Sequence, residues 1–343
     1  MLILSVESSC DETAVAVTRD GREVLSDAVF SQADMHALYG GVVPEIASRN
    51  HVKVISGLAD EAVRRAGIEK ADVGAVAATY APGLIGALLV GLSFAKGASL
   101  ALGVPFIPVH HLRGHIAANY LAFPELEPPF LAAVVSGGNT VIAAVRGYTG
   151  FEIIGATRDD AAGECFDKTA RALGLGYPGG KILDELSRSG DAEKYALPRP
   201  VIDGKPFDMS FSGLKTAVVN LIHNAEQRGE TPDLPSVAAG VCAAVADILA
   251  PRIIAAAETY GFDKIAVAGG VAANSAVRGR LTDETSKRGL ALYLPPLSLC
   301  GDNAAMIGSQ AYYEFLAGNT ADMSANAYAT MAIDDVQSGR GER

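Results

Sequence analysis

The sequence predicts an α/β protein built from a repeated unit, in which three antiparallel strands are followed by a helix. Two observations carry that reading. The pattern begins at Leu2 and begins again at Phe130. In each copy a loop of small or acidic residues follows the first strand: Ser8-Ser9-Cys10-Asp11-Glu12-Thr13 in the first and Ser136-Gly137-Gly138-Asn139-Thr140 in the second. A duplicated unit with loops at corresponding strand ends implies two similar lobes facing a cleft.

In the first copy Leu2–Glu7 is apolar and Thr13–Thr18 alternates. Asp20-Gly21 is a hairpin turn signal before a third strand, Glu23–Phe30. Pro44 opens a helix to about Arg65, with Ile46, Val54, Ile55 and Leu58 on its apolar face and Gly67 as the stop. Val73–Thr79 is a buried type of strand, Gly83–Leu102 a small-residue helix, and Pro105–Val109 another short strand.

In the second copy Phe130–Ser136 is apolar, Thr140–Val145 alternates, Gly147 turns, and Phe151–Thr157 is the third strand before a helix at Ala162–Leu173. Residues 174–205 read as loop. A helix then runs to about Asn224, and a longer helical pattern from Ser236 to Tyr260 is interrupted at Pro251. Lys264–Ala268 and Leu290–Leu294 are strands, Asn303–Leu316 is the last helix, and the polar tail after Gly318 is expected to fray.

At 343 residues and 49% hydrophobic, the chain can build a large core and is not of a disordered composition. Its apolar runs are broken by Gly, Pro and charge, so no bilayer span is expected. Met1-Leu2-Ile3-Leu4-Ser5-Val6-Glu7 lacks a basic leader and reads as a first strand rather than a signal peptide. Cys10, Cys165, Cys242 and Cys300 form no C-x-x-C pair, which suggests reduced thiols in the cytoplasm. A net charge of -11 argues against a general nucleic-acid coating protein but leaves room for a local basic patch or a basic partner.

Three of the 6 histidines fall within His110-His111-Leu112-Arg113-Gly114-His115. On a helix the spacing of His111 and His115 puts both imidazoles on one face. With Asp302, in Leu299-Cys300-Gly301-Asp302-Asn303, they make a plausible set of ligands for a divalent first-row metal with open positions. The plain alternative is a pair of helix-surface histidines. Gly137-Gly138 and Gly269-Gly270 each follow a short apolar strand, where backbone N–H groups can cradle an anion. Neither fits the Walker or the Rossmann spacing, and either could be a simple tight turn.

Together these stretches resemble one family. Glu7-Ser8-Ser9-Cys10-Asp11-Glu12-Thr13, the His111/His115 pair, Ser136-Gly137-Gly138, Asp160-Ala161-Ala162-Gly163-Glu164 with Phe166-Asp167-Lys168, Tyr177-Pro178-Gly179-Gly180, Ser210-Phe211-Ser212-Gly213-Leu214-Lys215 and Gly269-Gly270-Val271-Ala272-Ala273-Asn274 are similar to the bacterial branch of the tRNA threonylcarbamoyladenosine transferases, from Met1 to about Leu316. The resemblance implies an actin-like, two-lobed fold of the sugar kinase and Hsp70 superfamily, with ribonuclease H-like βββα units facing a central cleft. It divides the chain into a first lobe, 1–109, completed by about 304–330, and a second lobe, 110–303, with 331–343 as a flexible tail.

The implied reaction moves a threonylcarbamoyl group from threonylcarbamoyl-AMP to the exocyclic amine of the adenosine 3′ of the anticodon, releasing AMP. His111, His115 and Asp302 would hold one metal, usually Fe2+ in this branch, with Zn2+ or Mg2+ as other choices. Val134, Val135, Ser136, Gly137, Gly138, Asn139, Asp167, Gly180, Asp184 and Asn274 would hold the adenylate, the two aspartates suiting ribose hydroxyls. Asp11 or Glu12 could orient the amine or take its proton, or could position a cation. The implied partners are tRNA, a shorter paralogous subunit and a small P-loop ATPase, in the cytoplasm and away from any membrane.

Two departures stand out. Arg113 occupies a position where the family usually has Glu, so charge near tRNA or threonine is expected to change. Asn139 replaces the family's usual His after Ser-Gly-Gly and cannot titrate near neutral pH. Two rival functions are a metallopeptidase and a nucleotide-binding scaffold or ATPase. The first lacks its base, since Leu112 and not Glu follows His111. The second has no need of the His/His/Asp set.

Overall fold

A computed structural model describes residues 1–335. In chain order the main elements are β1 (Leu2–Glu7), β2 (Glu12–Arg19), β3 (Glu23–Ser31), α1 (Ala33–Ala37), α2 (Pro44–Ala66), β4 (Ala75–Ala81), α3 (Ile85–Leu102), β5 (Phe106–His110) and α4 (His111–Ala122). There follow β6 (Phe130–Val135), β7 (Thr140–Gly147), β8 (Gly150–Ala156), α5 (Ala162–Ala172), α6 (Gly179–Ser187), α7 (Ser212–Gln227), α8 (Leu234–Tyr260), β9 (Lys264–Ala268), α9 (Ser275–Arg288), β10 (Ala291–Tyr293) and α10 (Ala304–Leu316). One five-stranded sheet has the order β3-β2-β1-β4-β5 and the other β10-β9-β6-β7-β8. The fold is the actin-like α/β class with its βββα unit present twice.

The chain forms two compact units. The first contains Met1–Pro128, Val145–Glu152 and the described residues from Gly301 on; the second contains Pro129–Ala144 and Ile153–Cys300. The division differs from the 109/110 boundary drawn from the sequence. Helix α4 packs on α10 and stays with the first unit. Gly114 permits that approach, because a Cβ there would meet the Ile307 side chain at 2.6 Å.

In the first unit the pairs β1–β2 and β2–β3 are antiparallel, and β2 turns into β3 at Asp20-Gly21, both of which have positive φ. Strands β1, β4 and β5 run parallel, so their C-terminal ends share one edge of the sheet. That edge carries Glu7 at the end of β1 and delivers β5 directly into α4 at His111. The core between sheet and helices includes Val6, Val15, Val76, Leu88, Leu92 and Phe106, all nearly or fully buried. In the second unit β6, β9 and β10 are parallel, and the core centres on α8 with Val241, Val245, Ile248, Leu249 and Ile253.

The structure corrects several expectations. Residues 174–205 contain α6, whose glycine-rich start, Gly179-Gly180, hid a short amphipathic helix with Leu183 buried. Helix α8 runs unbroken through Pro251, because burial along its length outweighs the roughly 3 kcal/mol that an interior proline costs. Two helices, Ile85–Leu102 and Leu234–Tyr260, are long and apolar enough to cross a membrane, against the sequence reading; the second is 78% buried inside the protein, as a core helix would be. The segment after Gly318 does not fray over its described length. Ala321 N–H donates to Phe106 O, Tyr328 N–H to Tyr80 O, and Ile333 is buried. Residues 336–343, the rest of the expected tail, lie outside the described residues.

A buried acid marks one cost of this packing. Asp27 on β3 has one carboxylate oxygen with no hydrogen-bond partner among the described residues. Burial pushes its pKa up to about 6, although the Ala304 backbone N–H opposes the shift. A pKa raised by folding gives stability that is present below the unfolded value near 4 and lost as pH rises through 6, by up to about 3 kcal/mol. Asp27→Asn should therefore flatten the pH dependence of urea unfolding between about pH 4 and 7, and should leave the protein more stable than wild type at neutral pH.

Candidate functional site

The edge formed by the parallel strands of the first unit gathers the candidate ligands. Helix α4 begins at His111, so His111 and His115 stand one turn apart with ring centroids separated by 4.6 Å. Asp302 lies in the turn before α10, where Asn303 caps the helix by accepting from Met306 N–H at 2.9 Å. Asp302 Oδ1 is 3.2 Å from His115 Nε2 and 3.6 Å from His111 Nε2. One ligand atom from each of the three residues lies within 4.8 Å of the others.

This set fits a metal ion on its own chemistry. His115 is buried, and neither of its ring nitrogens makes a hydrogen bond of good geometry among the described residues, despite the closeness of Asp302. Buried imidazole nitrogens left in this way are costly unless a cation takes one of them.

His111 adds a supporting group that the sequence reading missed. Glu7, fully buried at the end of β1, takes His111 Nδ1 at 3.0 Å. Its carboxylate also accepts from Ser9 N–H and from the Thr79 hydroxyl. A carboxylate accepts only, so Nδ1 carries a hydrogen, and Nε2 is turned toward Asp302, where it could serve as a ligand. Ser9 Oγ sits 3.2 Å from the same Nδ1. Burial disfavours a charged His111, but Glu7 and Asp302 overcome it and push its pKa up to about 9. Burial likewise opposes an ionised Asp302, yet His111 and His115 hold it at about 2.

The other two polar residues of the hexapeptide have structural tasks. His110 caps α4 by accepting from Leu112 N–H at 3.2 Å, and its Nε2 faces Met331 O at 3.3 Å. Arg113 is turned into the protein. It is buried, donates to Ile333 O and Asp335 O, pairs with Glu314 at 3.3 Å, and lies over the Phe151 ring. The guanidinium clasps the C-terminal segment to α4.

The acidic loop adjoins the histidine pair through Ser9. Asp11 is buried, and its carbonyl accepts from Gln32 N–H at 3.2 Å; Glu12 accepts from the Ser31 hydroxyl at 2.9 Å. Burial, together with the charges of Asp302 and Asp11, pushes the Glu12 carboxyl up to about 9.

In the second unit the glycine loop is shaped by close backbone packing. Ser136 N–H donates to Asn139 O at 2.8 Å, and Gly163 N–H donates to Ser136 O at 3.1 Å. A Cβ on Gly163 would stand 2.7 Å from Gly137 Cα and Ser136 O, and one on Gly269 would stand 2.5 Å from Val135 O. Val134 and Val135 are buried at the end of β6, while Gly137 and Gly138 are exposed beyond it. Asn139 contributes its main chain to the turn.

The expected ribose acids are already engaged. Asp167 accepts from Gly179 N–H at 2.8 Å, next to Gly180 at the start of α6. Asp184 takes both Ser275 N–H and Ser275 Oγ at 2.7 Å, and Arg188 at 3.3 Å. Asn274 caps α9 through Val277 N–H at 3.1 Å and donates to Cys242 Sγ. The structure thus groups Asp167 with Gly180, and Asp184 with Asn274, around the first turns of α6 and α9.

A family model described as tRNA N6-adenosine threonylcarbamoyltransferase matches residues 23–309. A protein of that name from Clostridium botulinum (strain Kyoto / Type A2) is 48% identical over 333 residues, 97% of this chain and 98% of the relative. One from Clostridium perfringens (strain 13 / Type A) is 49% identical over 334 residues, with the same coverage. Among solved structures, component A of the Acidaminococcus fermentans (R)-2-hydroxyglutaryl-CoA dehydratase superposes with a TM-score of 0.53 at 18% identity, covering 92% of this chain and 98% of that one. Full-length HypF in its phosphate- and nucleotide-bound form gives 0.58 at 15% identity, covering 91% of this chain and 46% of that one. Those two likenesses establish fold alone.

Glu7→Gln would keep the shape of the buried group while removing the charge that orients His111. Metal affinity, titrated against a competing chelator, should fall about 10- to 100-fold. Gly163→Ala should displace the Ser136–Gly138 turn and destabilise the fold, read as a fall in the thermal unfolding midpoint.

Proposed function

This chain belongs to the tRNA N6-adenosine threonylcarbamoyltransferase family, and on that premise we propose a division of labour among its residues. The substrate is threonylcarbamoyl-AMP. The acceptor is the exocyclic amine of the adenosine 3′ of the anticodon, position 37 of ANN-decoding tRNAs. The amine nitrogen forms a bond to the carbamoyl carbon, the bond from that carbon to the phosphate oxygen breaks, and AMP leaves.

His111, His115 and Asp302 would hold one divalent metal, iron(II) before zinc or magnesium, which supplies Lewis-acid polarisation when bound. Glu7 keeps His111 in the tautomer that offers Nε2. Asp11, or Glu12 once nearby positive charge has lowered it, receives the proton that the amine loses. The main-chain N–H groups of Gly137 and Gly138, in the turn that Ser136 and Asn139 close on each other, hold the phosphate of the adenylate and stabilise it as it leaves. Asp167 and Asp184 would accept from the ribose hydroxyls, with Gly180 and Asn274 lining the base and sugar.

The single observation that supports this reading best is the convergence of two imidazoles and one carboxylate in a chain with this family membership. A tRNA substrate, a shorter paralogous subunit, a small P-loop ATPase and a cytoplasmic location complete the proposal. A peptidase finds no support, since no acid in the histidine motif can activate water.

The test is reconstitution with unmodified tRNA, threonine, bicarbonate, ATP and the partner proteins, followed by mass spectrometry of the nucleosides. His111→Ala should lower bound metal and abolish tRNA modification, with the thermal unfolding transition retained. Full modification by metal-free His111→Ala would remove the metal from the mechanism.

A further inference from the structure

His51 lies outside the ligand group and outside the acidic loop, yet it touches that loop on both sides. It projects from α2, is fully buried, and belongs to no element that the proposed chemistry uses. Its Nε2 is 2.9 Å from the carbonyl of Cys10, and its Nδ1 is 2.7 Å from the hydroxyl of Thr13. Cys10 and Thr13 are the residues immediately flanking Asp11-Glu12.

The two contacts fix the protonation state of the ring. A carbonyl oxygen can only accept, so Nε2 carries the hydrogen. Nδ1 is then the acceptor, and the Thr13 hydroxyl donates to it. Burial holds the imidazole below its ordinary pKa, in keeping with this neutral form. The residue before it serves the same region: Asn50 donates to Gln32 Oε1 at 3.0 Å, and Gln32 N–H donates to Asp11 O. Helix α2 therefore braces the acidic dipeptide through His51 and Asn50, although α2 carries none of its chemistry.

We infer that His51 is a positioning residue for the transfer reaction, a bridge between Cys10 O and Thr13 Oγ1 that sets where the Asp11 and Glu12 carboxyls point. The inference rests on the proposed role of those two acids. Loss of one hydrogen bond would let the loop shift by a fraction of an ångström to an ångström, and such a misplacement costs up to about 100-fold in rate.

The test compares His51→Ala, His51→Gln and Thr13→Val in the full chain, assayed with its partner proteins, preformed threonylcarbamoyl-AMP and unmodified tRNA. His51→Ala should lower kcat about 10- to 100-fold. KM for both substrates and bound metal should stay within about 2-fold of wild type, an assay tolerance well below that loss. His51→Gln, which can still donate to Cys10 O, should recover several-fold of the lost kcat, and Thr13→Val should reproduce part of the loss.

Wild-type kcat in His51→Ala would overturn the inference, as would equal impairment in the Ala and Gln variants. Should His51→Ala fail to fold, Thr13→Val decides: unchanged kcat there overturns the bridge. Asp11→Asn and Glu12→Gln are assayed alongside. Full activity in both would bring down the proposed role of the acids and the inference with it; loss in either, with no loss in His51→Ala, would sink the inference alone.

Discussion

The arrangement in the first unit depends on one buried contact, the Glu7 carboxylate against His111 Nδ1. Removing a carboxylate from water costs several kcal/mol unless its lone pairs are filled. Glu7 meets that cost with the Ser9 N–H, the Thr79 hydroxyl and the imidazole, each from a different part of the sheet edge. The same contact determines which nitrogen of His111 is free. It joins β1, β4 and α4 in a single polar knot, and the acidic loop starts one residue further along the chain.

The knot explains why the ligand set has its particular form. Two ligands come cheaply from one turn of α4, because residues four apart share a helix face. The third has to come from a different element, and α10 brings it by packing against α4. Gly114 and Ile307 bring the two helices close, and the Asn303 cap starts α10 directly after Asp302. Arg113, pointing the other way from α4, ties the chain beyond α10 back onto the same helix. The position occupied by an unexpected cation thus ties the C-terminal segment to the helix that carries His111 and His115.

Much of the fold was legible because its strands are short, apolar or alternating, and bounded by turn residues. Leu2–Glu7 and Lys264–Ala268 were read with the observed ends, and Pro44 and Gly67 marked α2 to within a residue. What escaped was decided by tertiary context. Pro251 breaks a solvated helix but not one buried on nearly every face, and the glycines before Lys181 look like a loop until Leu183 finds the core. The His111, His115 and Asp302 group was legible from residue type and spacing. Glu7 and His51 were not, because a residue that supports a site is defined by what it touches and leaves no spacing signature.

The second unit follows a related logic with different materials. Asp184 and Asn274 have the chemistry to bind a nucleoside, yet both are first engaged at the N-terminal turn of α9. Asp167 is engaged in the same way at the start of α6. A helix start has backbone N–H groups without intrahelical partners, and a side chain that satisfies one of them also fixes the direction in which the others point. These three side chains therefore hold the main chain at the starts of α6 and α9 in position. At the Ser136–Asn139 turn Gly163 and Gly269 let neighbouring backbone press close. The form of this turn is therefore set by close main-chain packing, and it is most sensitive to the small residues packed behind it.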